Sequence, residues 1–183
     1  KGASKGEGLG NQFLSHIRDV SAIVQVVRIF QDSSIIHIEE KVDPVRDLET
    51  IRTELALKDL ETIEKRLGKL EGEARTGDKQ KIKDLEIVKK ISTHLNQGAS
   101  VTGRGLEDEP IMREMSLLSA KPQLYLLNGE EKDVSDALKS KIKELDGEYI
   151  IADLAAEPDI SLLIQKAYEV LGLISFFTTG EDE

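Results

Sequence analysis

The chain has 183 residues, of which 39 % are hydrophobic and 33 % charged, and its net charge is −10. That is enough apolar material for one or two domains with a real core, and too much for a disordered chain. The acidic balance argues against general coating of DNA or RNA, and 4 % aromatics without Trp leave no stacking platform for single strands. The absence of Cys removes disulfides, thiolate metal sites and thiol nucleophiles, and suits a reducing compartment. No apolar run approaches a membrane span and no signal peptide is visible. The chain starts at Lys1 rather than Met and stops in GEDE just after an apolar run. Both ends read as cuts through a longer protein.

Residues 1–10, KGASKGEGLG, hold four glycines, a backbone suited to movement or to close approach. No G-K-[ST] follows at P-loop spacing. A helix is expected over residues 11–19, with Phe13, Leu14 and Ile17 on one side. Residues 22–27, AIVQVV, form a nearly continuous β-branched run and predict a buried parallel strand. Residues 31–43 read as a loop. It contains His37, whose ordinary pKa makes it the default proton handler in a stretch otherwise suited to a surface or packing role.

Asp43-Pro44 opens a long helix, with Pro in the first turn and Asp able to cap. Leu48, Ile51 and Leu55 make one stripe. After a phase slip, Leu60, Ile63, Leu67, Leu70 and Ala74 make another, and together they predict a coiled-coil seam. If the helix spans residues 46–75 it is roughly 45 Å long at 1.5 Å per residue. Thr76-Gly77-Asp78 breaks it, and a second helix over residues 79–96 carries Ile82, Leu85, Val88, Ile91 and Leu95 up to Gly98. Two striped helices with a short link predict an antiparallel hairpin. Its mixed charges fit a solvated face or a partner-binding arm.

Residues 99–109 read as a loop and residues 110–119 as a short helix with Ile111, Met115 and Leu118 inward. The apolar run at residues 124–127 ends at once in Asn128-Gly129, a short buried strand running into a tight loop. A helix follows, with Val134, Leu138, Ile142 and Leu145 on one face and Gly147 beyond it. Residues 148–152, EYIIA, predict a third strand. Pro158 opens a last helix with Ile160, Leu163, Ile164, Ala167 and Leu171 inward, and residues 173–179 predict the start of another strand. The fold class is therefore α/β, with neighbouring parallel strands and a helical hairpin inserted between the first and second. Ligands of such sheets bind at the carboxyl ends of the strands. Asn128 and Glu131 sit there, an amide that donates and accepts and a carboxylate that only accepts. They could read the edge of a purine, or form an ordinary acidic turn.

Four stretches carry a resemblance to a known family: KGASKGEGLGNQFL at residues 1–14, HIEEKVDPVRDLETI at 37–51 with TEL at 53–55, the N-x-x-E of Asn128–Glu131, and FFTTGEDE at the end. On these the chain resembles the YchF group of Obg-like ATPases, P-loop NTPases related to translation factors. The resemblance implies a nucleotide-binding domain at residues 1–43 and 119–172, an inserted coiled coil at 44–118, and the start of a TGS domain at 173–183. The P-loop and the Mg²⁺-binding threonine would lie upstream. It implies an ATP hydrolase with Mg²⁺, associated with the ribosome, cytoplasmic and monomeric. Asn128, Gly129, Glu131 and Ala156 would contact the base. Asp at the last position of N-K-x-D serves guanine and would be unpaired on adenine, so N-x-x-E implies ATP preference and possible GTP binding. Replacing Glu131 by Asp and Gly129 by Lys is then expected to move preference toward GTP. His37 is the candidate for catalysis, because the family lacks the water-orienting Gln of many GTPases. Residues 1–10 would be the switch that follows the γ-phosphate. The alternative is a non-enzymatic module presenting a helical arm, with no turnover in this stretch.

Overall fold

The structure, a computed structural model, describes residues 9–32, 42–99, 101, 106, 109–156 and 159–177. The chain divides into two compact units: residues 1–20 with 46–121, and residues 21–45 with 122–183.

The first unit is helical. It contains α1 (Leu9–Asp19), most of α2 (Pro44–Ala74), α3 (Lys79–Asn96) and α4 (Pro110–Met115). α2 ends where Gly77 takes a φ of +81° and donates its N–H to Ala74 O at 3.1 Å. Asp78 then caps α3, its Oδ1 accepting from Gln80 N at 2.8 Å and Lys81 N at 3.3 Å, which pairs orphan amides of the first turn. Ile63 and Leu70 of α2 share one core with Ile87, Val88, Ile91 and Leu95 of α3. The core is not a two-helix seam alone. Ile111, Met112 and Met115 of α4 and Leu117 enter it too.

Several expected positions differ. Ile51 and Ile82, read as part of the stripes, are exposed. The buried positions of α2 are Leu48, Leu55, Asp59, Ile63 and Leu70, a run at sevens and fours. The phase slip is therefore a carboxylate standing in the buried stripe. The short helix stops at Met115, and Leu118–Ala120 is a separate 3-10 turn. Ser116 between them takes φ +46°, a left-handed cap that ends the helix. In α1, Leu14 is buried but Phe13 is 61 % exposed. α1 falls within the helical unit. Its Arg18 donates to Thr62 Oγ1 at 2.8 Å and to Ser116 O at 3.1 Å.

The second unit holds a 3-stranded parallel sheet, ordered β1 (Ile23–Arg28), β2 (Gln123–Asn128), β3 (Glu148–Ala152). β2 is central, and Leu124, Tyr125, Leu126 and Leu127 are all buried, which is why its sequence does not alternate. β1 has one neighbour, β2, and the described residues leave its Val24 and Val26 exposed. The expected full burial of that strand does not hold. α5 (Asp136–Glu144) is capped by Ser135 Oγ, which accepts from Leu138 N at 3.2 Å, and buries Leu138 and Ile142. α6 (Ser161–Val170) packs on β2 and β3. Its Ile160 and Ile164, expected inward, are exposed; Leu163, Ala167 and Leu171 are half-buried. Residues 173–177 form no strand, and Ile174, Phe176 and Phe177 are exposed. A β-rich segment extends only where a neighbour takes its hydrogen bonds, and the described residues offer it none.

Candidate functional site

Parallel pairing sets the geometry of the site. Arg28 pairs with Asn128 and Asn128 with Ala152, so three strands deliver their following loops to one edge. The ladder runs one step further, with Ile29 N donating to Asn128 O at 3.1 Å and Gly129 N to Ala152 O at 3.2 Å.

Asn128 joins two of these loops. Its Oδ1 accepts from Leu154 N at 3.0 Å. An amide oxygen used in this way leaves the NH₂ group as donor, and Nδ2 has no partner among the described residues. The β3 loop is closed on itself: Asp153 Oδ1 accepts from Ala155 N at 3.0 Å, and Asp153 O from Ala156 N at 3.2 Å. That turn presents Ala156 exposed beside the tethered loop. Asp153-Leu154 thus has a role of its own, which the sequence could not show because Leu154 acts through its backbone N–H.

Gly129 is buried, with φ +150°, and a Cβ built on it would lie 2.6 Å from Ile29 Cγ1. Its N–H is spent on Ala152 O, so that group is unavailable to a ligand. Glu131 opens the 3-10 turn Glu131–Asp133. Glu130 and Asp133 cap that turn reciprocally, with Glu130 N donating to Asp133 Oδ2 at 3.1 Å. Its capping holds the backbone that presents Glu131. The Glu131 side chain is 75 % exposed, with Oε1 3.6 Å from Lys139 Nζ. An exposed pair of this length adds little stability, so the carboxylate is available to a ligand.

Arg28 was missed by sequence reasoning. Its guanidinium donates through Nε to Phe30 O at 3.2 Å and through Nη2 to Asp32 O at 3.0 Å, and lies 4.5 Å from the Phe30 ring centroid. It fixes the direction in which the chain leaves β1. The V-V-R-x-F pattern gave no signal, because an Arg ending a strand is ordinarily solvated. His37, farther along, lies outside the described residues. A shallow concavity of about 420 Å³ beside Ser161, Ile164, Gln165 and Tyr168 shares no residue with the strand-end loops.

The architecture defines an α/β protein with a parallel sheet whose carboxyl-edge loops are tied together by an amide. No protein-family model matches the chain. All of it aligns with curated relatives: it is 37 % identical to the Ribosome-binding ATPase YchF of Bacillus subtilis (strain 168), covering 59 % of that protein, and 40 % identical to the Obg-like ATPase 1 of Saccharomyces cerevisiae, covering 56 %. A solved structure, that of the Schizosaccharomyces pombe YchF GTPase, superposes with a TM-score of 0.74 at 32 % identity, over 97 % of this chain and 57 % of that one. Over its whole length the chain is similar to YchF and Obg-like ATPases. It spans a little over half the length of the curated relatives it matches.

Proposed function

We propose that this chain is the base-reading and arm-bearing part of a nucleotide hydrolase that works with the ribosome. Residues 21–43 and 122–172 serve the nucleotide, α2 and α3 are the inserted coiled-coil arm, and residues 173–183 lead into a TGS domain. The observation that carries the reading is the Asn128 tether. Its Oδ1 holds the β3 loop, and its remaining Nδ2 can donate to the ring acceptor that every purine presents. Ala156 lies in the loop so held, within reach of the purine face. Glu131, exposed and acceptor-only, would choose between bases: guanine offers it donors at N1 and N2, adenine only the N6 amine. A carboxylate on the longer Glu stem favours the single N6 donor, hence ATP over GTP. The names of the relatives are themselves divided between ATPase and GTPase.

ATP supplies the phosphoanhydride, whose hydrolysis needs mostly positioning and charge. The residues that hold the phosphates and Mg²⁺ are proposed to lie upstream of this chain, as the resemblance implies. His37 is proposed to position or deprotonate the attacking water. An interaction module without turnover is the rival reading, and this chain by itself would behave as one if the phosphates are held elsewhere.

Asn128→Asp separates base reading from loop building. It keeps an oxygen for Leu154 N and exchanges the amide donor for an acceptor. In the whole protein, ATP affinity should fall roughly 10- to 100-fold, as expected for losing one buried polar contact and gaining a repulsion, while the urea midpoint stays close to the parent. Unchanged ATP affinity would leave Asn128 as a loop tether only. Glu131→Asp alone should raise GTP competitiveness against ATP in the same titration, and unaltered selectivity would remove Glu131 from the base site.

A further inference from the structure

α1 ends in a cluster that joins four segments of the helical unit. Arg18 Nη1 donates to Met115 O, the last carbonyl of α4, at 3.4 Å and to Ser116 O, that of its cap, at 3.1 Å. Arg18 Nη2 donates to Thr62 Oγ1 of α2 at 2.8 Å and lies 3.8 Å from Asp59 Oδ1. Asp59, with 0 % exposure, accepts from Leu118 N at 2.8 Å and from Ser119 N and Ser119 Oγ at 2.7 Å each. Lys121 Nζ donates to Val20 O at 2.6 Å. Directly after this cluster the chain passes to β1 and to β2, at Val20–Ser21 and Lys121–Pro122.

We infer that Arg18 and Asp59 are a latch that makes α1 a rigid part of the helical unit. Arg18 is a positioning residue: it acts by fixing α1 to α2 and to the end of α4. A planar guanidinium can hold two carbonyls and a hydroxyl at once beside a carboxylate, which a lysine ammonium cannot do in one geometry. A displacement of the chain that enters α1 is therefore passed to α2 and α3 as a body. Its link to hydrolysis rests on the proposal that residues 1–10 respond to the γ-phosphate: the latch would carry nucleotide state into the helical arm.

These 183 residues contain no Cys, so once any cysteine elsewhere in the whole protein is replaced, spin labels can be placed uniquely at Gln12→Cys on α1 and Lys90→Cys on α3, both exposed. In the nucleotide-free whole protein the pair should give one narrow distance distribution, unchanged by a non-hydrolysable ATP analogue. Arg18→Met, and more mildly Arg18→Lys, should broaden it or add a second distance, with helix content by circular dichroism retained. A broad parent distribution, an analogue-induced shift in the parent, or an Arg18→Met distribution as narrow as the parent's would each overturn the latch. If Arg18→Met fails to fold, Arg18→Lys carries the comparison. Binding of a fluorescent ATP analogue is measured separately, so a protein that ignores nucleotide sinks the functional reading while the nucleotide-free distances still judge the latch.

Discussion

Gly129→Val is expected to lower folding stability by about 2–4 kcal/mol, the combined scale of a strained backbone and an overpacked core site. Two independent features demand glycine there. The φ of +150° is one that side-chain-bearing residues rarely adopt, and a Cβ would meet Ile29 Cγ1 at 2.6 Å. Ile29 is itself 4 % exposed and has little room to yield. Urea unfolding of parent and variant measures the loss. Ile29→Ala placed on top of Gly129→Val should recover the steric part and not the backbone part. A Gly129→Val midpoint equal to the parent's would mean the loop relaxes freely and that residue 129 does not hold the β2 exit. The same geometry corrects a simpler expectation. Lys at 129 is no clean exchange of base preference, since it perturbs the loop before it meets any nucleotide. Glu131→Asp is the substitution that changes base chemistry while leaving the Gly129 backbone alone.

Asp59→Ala should cost about 2–4 kcal/mol, because it strands a buried amide and removes the carboxylate beside Arg18. Asp59→Asn should cost less, as one oxygen still accepts while Nδ2 opposes a donor. The two also differ in their response to pH. Burial pushes the Asp59 carboxyl above its ordinary value of 3.8, and the Ser119 and Leu118 bonds and the Arg18 charge pull it back only in part. A carboxyl raised in the folded state favours folding most when protonated. Its contribution is complete below the unfolded value and is lost as pH rises through the folded one. The stability of the parent relative to Asp59→Asn should therefore fall as pH climbs from 3.8 toward neutrality, opposite in sign to ordinary acid unfolding. Chemical denaturation of the pair across that range checks it. A difference that grows with pH would mean the hydrogen bonds outweigh the burial.

Much of the frame was legible because it rests on local rules. The apolar run ending in Asn128-Gly129 marked β2 and its loop. EYIIA marked β3, and Thr76-Gly77-Asp78 marked the break between α2 and α3. In each case the deciding partner is a few residues away, as when Asp78 caps α3. Four features were settled only by packing. Asp59 carries no signal of its own in the sequence, and its partners are the amides of Leu118 and Ser119, about sixty positions on. Gly129 reads as half of a turn dipeptide, yet part of its need for glycine comes from Ile29, just past the end of β1. The resemblance places α1 in one domain with β1, and its Arg18 is held by α2 and α4. The exposed Ile164 and Val26 had the composition of core residues, and periodicity cannot tell which faces of a sheet or helix the fold covers. Sequence by itself determined most of the elements and their order; long-range hydrogen bonds and steric fit decided which residues those elements make indispensable.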